Sequence, residues 1–392
     1  MNWTRLRSNT SFEQVREQVT ADDAGKWDTL AAREHLVLKD GSLTVPLDNC
    51  GEHIESLTPT AWATGQLCQR LGIPVSYFRR CPTVLQDMQA NFWLKNPPLE
   101  ENGRKGRITR SDSSEQKAEQ WLLRARYGSL RAVLSERYTR LDNETLLASV
   151  QQVLNTASSQ GFDIKWFDLG DESLHLRLVD PTVGKEALPD DRLMAGVHIA
   201  NSEVGKRAVT VDAMVFRLVC TNGLIRLVKG KSLLHQRHIH VAQEQFADAL
   251  ETAVAEALTA SAGFMEQLAF ATREPVKDVE ETLSRIAKHW GLSQSTQEQM
   301  KRSLLAERSD QQETLYGMVN ALTNAAQLLP ADDRYDLEVL AGHLVEHGVS
   351  KSLTMRSSVR QKQNESEVSG YGHALEEGSR NGRYARVAVP VP

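Results

Sequence analysis

The sequence predicts an α+β protein: an antiparallel-rich sheet with helices on one side, followed by an all-helical C-terminal region. Three observations carry the prediction. Val209, Val211, Ala213, Val215 and Arg217 alternate along one face of a run ending at Val219, the pattern of a half-buried strand. Shorter strand-like runs recur between residues 121 and 200, interrupted by one long helical pattern. Beyond residue 242 the chain turns to Ala, Leu, Glu and Gln, which favour helix.

Residues 1–54 read as an N-terminal segment. Within it, 11–19 predicts a short helix and 36–45 a hairpin about Asp40-Gly41. Residues 55–231 form the predicted α+β body. A helix opens at Thr58, with Pro59 in its first turn, and runs to Leu71. A second runs to Arg80, and a third spans 82–94 with Leu85, Met88 and Phe92 on one face. Residues 96–119 are polar and broken by Pro and Gly, a predicted mobile loop. Strands follow at 121–124 and 130–134, and Asp142-Asn143 caps a helix to about residue 159. Further strands lie at 162–167, 174–179 and within 193–219, where Asn201, Ser202 and Gly205 turn one strand into the next. Residues 232–349 form an acidic helical region, with helices at 242–271, 276–290, 293–306, 311–329 and 333–347. Residues 350–392 lack apolar periodicity and predict a flexible tail.

A net charge of −5 and a pI near 6.2 argue against a protein that coats nucleic acid through bulk charge. The distribution matters more. Residues 71–140 are basic, and 192–240 hold Arg192, Lys206, Arg207, Arg217, Arg226, Lys229, Lys231 and Arg237 against Glu203 and Asp212 alone. After residue 240 acids dominate. Cys50, Cys68, Cys81 and Cys220 are scattered, which argues against a zinc or disulfide framework. The chain shows neither a signal-peptide core nor a membrane-length apolar run, so the expected place is the cytoplasm, with no membrane partner.

Arg217 on an apolar strand face needs an anionic partner. Glu203 or Asp212 would make it a structural ion pair; a phosphate would make it a ligand contact. Thr221-Asn222-Gly223 reads either as a tight turn or as a nest of amides for an anion. Cys220 with His198 as base would be a catalytic pair, but a small buried thiol explains Cys220 as well. His235, His238 and His240 have imperfect spacing for a metal and follow a basic stretch, so no metal or other cofactor is expected. Gly230-Lys231-Ser232 matches the end of a phosphate loop, but Ile225 stands where its first glycine is required. Arg79 and Arg80 beside Tyr77 and Phe78, with Phe92-Trp93 later, interleave cations and aromatics as single-strand binders do. Arg104, Lys105, Arg107 and Arg110 suit an arm tracking a phosphate backbone.

Ala200-Asn-Ser-Glu-Val-Gly205 and Phe216-Arg-Leu-Val-Cys-Thr-Asn-Gly-Leu224 resemble the signature of a phage- and plasmid-encoded family, domain-of-unknown-function family nine hundred thirty-two. Leu130-Arg-Ala-Val-Leu-Ser-Glu-Arg-Tyr-Thr-Arg-Leu-Asp-Asn143 is a second block. Leu71-Gly-Ile-Pro-Val-Ser-Tyr-Phe-Arg-Arg80 with Asn91-Phe-Trp-Leu94 is a third. The resemblance covers roughly residues 55 to 230. It implies a protein of mobile elements and a remote relation to single-strand annealing proteins; the family name itself supplies no activity. The expected function is non-catalytic nucleic-acid binding for a phage or mobile element, with single-stranded DNA as the ligand, in recombination, repair or replication. Its expected contacts are Arg79, Arg80, Arg104, Lys105, Arg107, Arg110, Lys206, Arg207, Arg217, Asn222, Lys229 and Lys231. The alternatives are a protein-interaction or host-defence-modulating factor acting through the acidic helices, and an unrecognised hydrolase. The Ala- and Leu-rich helices also predict a homo-oligomer.

Overall fold

The computed structural model describes residues 4–6, 10–47, 53–96, 119–157, 161–218, 222–228, 231–239 and 243–352. Its first part contains β1 (Thr4–Leu6), α1 (Phe12–Asp23), β2 (Lys26–Ala32), β3 (Val37–Lys39), β4 (Ser42–Pro46) and β5 (Ile54–Pro59). Three helices follow: α2 (Ala61–Leu71), α3 (Val75–Arg80) and α4 (Thr83–Lys95). Next come β6 (Gln120–Arg126), β7 (Ser129–Ser135), α5 (Asn143–Ala157) and β8 (Asp163–Leu169). The meander continues through β9 (Leu174–Leu188), β10 (Asp191–Asn201), β11 (Val209–Arg217), β12 (Asn222–Arg226) and β13 (Leu234–Gln236). The chain closes with α6 (Gln243–Phe270), α7 (Val279–Trp290), α8 (Gln294–Ala306), α9 (Leu315–Ala326) and α10 (Ala331–Ser352). The architecture is α+β with a helical C-terminal region, as the sequence predicts.

The strands form two sheets. The larger has the order β1-β8-β9-β10-β11-β12, with β13 also paired to β11. The smaller runs β2-β6-β7-β5-β4-β3. The N-terminal segment is therefore part of both: β1 edges the large sheet beside β8, and β2 edges the small one beside β6. In the small sheet Trp121, Leu123 and Ala125 face α2, α3 and α4, and join a core with Leu67, Leu71, Phe78 and Leu94. Pro59 ends β5, and the helix begins two residues later behind the Thr60 cap. The Asp40-Gly41 hairpin forms as expected, with both residues at positive φ.

The large sheet has two unlike faces. One is apolar: Phe167, Leu176, Leu178, Val197, Ile199, Val209 and Val211 pack on α1, α5 and the first half of α6. The other presents Asp168, His175, Arg177, His198 and Asp212, all fully buried. Asp332, Arg334, Tyr335 and Glu338 of α10 cover it. β11 is thus buried on both faces, not half-buried. On its even-numbered face Asp212 is met by His198 and Tyr335, while Met214 and Phe216 join a second apolar cluster. Gly342 lets α10 lie on β12: a Cβ there would meet the Ile225 carbonyl oxygen at 2.0 Å.

Two further expectations change. Asn222 and Gly223 do not form a turn; they pair with Arg217 and Phe216 as the start of β12. The face of α4 carrying Met88 and Phe92 points to solvent, with 65% and 56% exposure. The helix docks instead through Ala90 and Leu94.

Candidate functional site

Two sheets that meet through polar groups need a clasp, and Asn201–Gly205 supplies it. The Glu203 carboxylate receives Lys26 Nζ at 2.8 Å, Arg131 Nη2 at 2.8 Å and the backbone N–H of Asn143 at 3.0 Å. The last contact places negative charge at the first turn of α5, where the helix dipole favours it. Burial would raise the Glu203 pKa, but Lys26 and Arg131 outweigh it and hold it down to about 2. Asn201 Nδ2 donates to the Leu141 carbonyl and to Asn143 Oδ1. The Val204 carbonyl accepts from Trp62 Nε1 and Gln66 Nε2. Gly205 then turns at φ +75°, where a Cβ would lie 2.8 Å from Leu134 Cδ2. The clasp delivers the next two residues, Lys206 and Arg207, to the wall of a cleft.

That cleft, about 690 Å³, lies between the clasp, β13 and the start of α10. Lys206, Arg207, His235 and Arg237 give it a basic rim; Tyr138, His238, Trp290 and Tyr335 give it aromatic walls. Tyr138 and His238 stack with ring centroids 4.9 Å apart. Arg207 lies 4.9 Å over Tyr335, and Lys206 lies 5.7 Å over Trp62. Several buried groups on this wall have no hydrogen-bond partner among the described residues: Arg207 Nε and Nη1, Thr210 Oγ1 and Trp290 Nε1. An unmet buried donor costs roughly 1–3 kcal/mol, so such a group cluster suits a ligand rich in acceptors.

Behind the cleft runs a buried relay. Asp332 Oδ1 contacts His175 Nε2 at 3.0 Å, and His175 Nδ1 contacts His198 Nε2 at 3.1 Å. His198 Nδ1 faces Asp212 Oδ2 at 3.4 Å, and Tyr335 donates to the same oxygen at 3.0 Å. Asp332 also holds Lys206 at 2.7 Å and Arg207 at 3.1 Å, tying relay to cleft. Burial and then Arg207 push His175 well below the usual imidazole range. Burial likewise pushes His198 down to about 4. Two neutral rings have two N–H protons for three contacts. The longest contact, His198 to Asp212, is the one left without a proton.

These depressed values make the fold acid-labile. The unfolded chain binds protons on its histidines near pH 6.5, whereas folded His198, and His238 with it, bind them near 4. Stability contributed by the neutral rings is therefore full above pH 6.5 and lost as pH falls towards 4, by roughly 3 kcal/mol per ring. Glu203 extends the loss from about 4.5 to 2. Thermal melting should drop steadily from pH 7 to 4; a flat profile over that interval would contradict neutral buried histidines.

The residues singled out in the sequence scatter. Lys206 pairs with Glu172 and Asp332, and Arg207 with Asp332, while both line the cleft. Arg217 is elsewhere: Thr210 lies at the cleft and Arg217 seven residues along β11, roughly 23 Å away at 3.3 Å per residue. Its partners are Asp191 at 2.7 Å and Glu307 at 2.6 Å, not Glu203 or Asp212. The Asn222 backbone belongs to β12. Arg79 donates to the Ala61 carbonyl and Arg80 to that of Ser76, and both are exposed, as is Lys231. Arg104, Lys105, Arg107, Arg110, Lys229, Cys220 and His240 fall outside the described residues. His198 is engaged in the relay and cannot reach a substrate. Burial pushes the Cys68 thiol up to about 12, which makes it inert at neutral pH. Among the described residues no group of three or more His, Cys, Asp or Glu could hold a metal ion. No described helix is long and apolar enough to cross a membrane. Sequence reasoning missed Tyr138, Thr210, Trp290, Tyr335 and Asp332.

Residues 131–342 match a family model described as Domain of unknown function (DUF932). The match begins in β7 and ends in α10, so it takes in the C-terminal helices and leaves out α2, α3 and α4. No curated protein matches the chain, and no solved structure does.

Proposed function

The chain belongs to the DUF932 family, and since that description carries no activity we propose a function from the cleft itself: binding of single-stranded nucleic acid, without catalysis, for recombination, repair or replication of a mobile element. The observation that carries the reading is the cleft's combination of cations, aromatic faces and buried donors that lack acceptors among the described residues. Phosphate contacts with base stacking hold single strands without reading sequence. Arg79 is bonded to Ala61, the next side chain is Trp62, and Lys206 lies over that ring. Tyr77 and Phe92 beside Arg79 and Arg80 are exposed. The basic residues 104–110 enter from the sequence alone. A phage or plasmid origin and kinship with annealing proteins belong to the same proposal.

Docking of a partner through the acidic helices has less support, because Glu307, Asp332, Glu338 and Glu346 are engaged by Arg217, Arg207, Arg177 and Arg226 of the chain itself. Self-association remains part of the proposal, supported by the exposed apolar Val84, Met88 and Phe92 of α4. The test is retention of single- and double-stranded oligonucleotides at low salt. Preference for the single strand is expected; retention of neither would end the reading.

A further inference from the structure

We propose that the cleft is a seat for one nucleotide: Arg207 and Thr210 hold its phosphate, and the aromatic wall of Tyr138, His238 and Trp290 takes its base. The inference deepens the strand-binding reading by naming the unit recognised. Four features of the cleft support it together.

The first is unmet hydrogen-bonding capacity. Arg207 spends one nitrogen on Asp332, while its Nε and Nη1 have no acceptor among the described residues. Nε–H points along one edge of the guanidinium and the Nη1 hydrogens along another, so they serve two separate acceptors, and a phosphate oxygen can be one of them. Thr210 is 8% exposed, lines the same cleft, and its hydroxyl is unpartnered.

The second is the aromatic lining of the same cleft. His238 is 5% exposed and stacked on Tyr138 at an interplanar angle of 4°, a flat platform. Burial keeps its ring neutral at physiological pH by pushing its pKa down to about 4, so the platform carries no charge. Trp290 adds a second ring and an unpartnered Nε1 donor for a base carbonyl or ring nitrogen.

The third is size. At about 690 Å³ the cleft falls in the range of roughly 300–1,000 Å³ typical of small-molecule sites. A phosphate alone would leave most of it empty.

The fourth is charge. Lys206, Arg207 and Arg237 stand on the lining against Asp336, with Glu172 and Asp332 balancing Lys206 and Arg207. Asp332 lies behind Arg207 and Lys206 and holds both side chains in place before a ligand arrives.

The nucleotide can come free or as a unit of a strand, and titration calorimetry on the full chain separates the two. The probes are adenosine 5′-monophosphate, adenosine, inorganic phosphate and a single-stranded oligonucleotide. The monophosphate should bind at least about tenfold more tightly than adenosine or phosphate. Arg207→Lys keeps the ion pair with Asp332 but loses the Nε and Nη1 donors, and Thr210→Val keeps the shape but loses the hydroxyl. Each should weaken the monophosphate about tenfold, with adenosine binding and melting unchanged. If the monophosphate binds and the oligonucleotide does not, the seat stands and serves a free nucleotide, while the strand reading fails. If the oligonucleotide binds and the monophosphate neither binds nor competes, the seat is overturned and the strand reading stands. Equal monophosphate binding by wild type and both variants also overturns it.

Discussion

A chain cut after Lys231 is expected to be unfolded in water. The charge reversal near residue 240 suggests an α+β body with a helical appendage, but the physical seam is not there. β13 pairs with β11, and α6 buries Phe246, Leu250 and Val254 in the apolar core of the large sheet and Phe264, Met265 and Leu268 in the neighbouring one. Burying each such side chain contributes about 1.5–3 kcal/mol, so losing the six removes on the order of 10 kcal/mol, the scale of a whole domain's stability. The loss does not stop there. Ser261 of α6 accepts the Met214 N–H and donates to the Gly196 carbonyl inside the sheet, and α10 supplies the partners of Arg177 and Asp212. Circular dichroism of the fragment should show little ordered sheet and no cooperative melt. A cooperative melt near that of the full chain would show that the helices are an appendage after all.

Arg217→Ala should destabilise the intact protein by roughly 3–5 kcal/mol, the usual effect of breaking a buried ion pair from one side. The guanidinium contacts Asp191 at 2.8 Å from Nε and 2.7 Å from Nη2, and Glu307 at 2.6 and 3.0 Å. It also lies 5.2 Å over the Tyr316 ring, whose hydroxyl donates to the same Asp191. Removing it leaves two buried carboxylates facing one another. Arg217→Lys keeps the charge but cannot make both forked contacts, so it should recover part of the loss. Oligonucleotide binding per folded molecule should be unchanged in both. Lost binding with unaltered melting would return Arg217 to the ligand site.

The sequence makes the strands legible where one face is apolar. Trp121–Leu123–Ala125, Leu176–Leu178 and Val209–Val211 alternate in a core that water never reaches, and period two marks them. β2 has no such mark, because it is an edge strand and Lys26, Trp27, Asp28 and Thr29 stay half-buried. The second face of β11 misleads for a definite reason. Thr210 and Asp212 look like solvent-facing residues, and their burial depends on partners more than 100 residues away, such as Tyr335. The basic run 192–240 is visible, but its meaning changes. Arg217 and Arg226 are matched by Glu307 and Glu346 of the acidic helices, so much of the charge asymmetry is internal neutralisation. Lys206 and Arg207 were legible as cations. That Asp332 aligns them, and that Thr210, Trp290 and Tyr335 complete the cleft around them, depends on tertiary placement that no local pattern encodes.

The most direct test of the cleft as a nucleic-acid site is the salt dependence of single-strand affinity in wild type and in a variant carrying Arg207→Lys and Arg237→Gln. Each phosphate contact contributes about −0.7 to the slope of log affinity against log salt. The wild type should show a negative slope, and the variant, melting at the same temperature, should bind more weakly with a shallower slope, by roughly 0.7 if one contact is lost. Equal affinity and slope in the two proteins would contradict the account, because the strand would then be held somewhere other than the cleft.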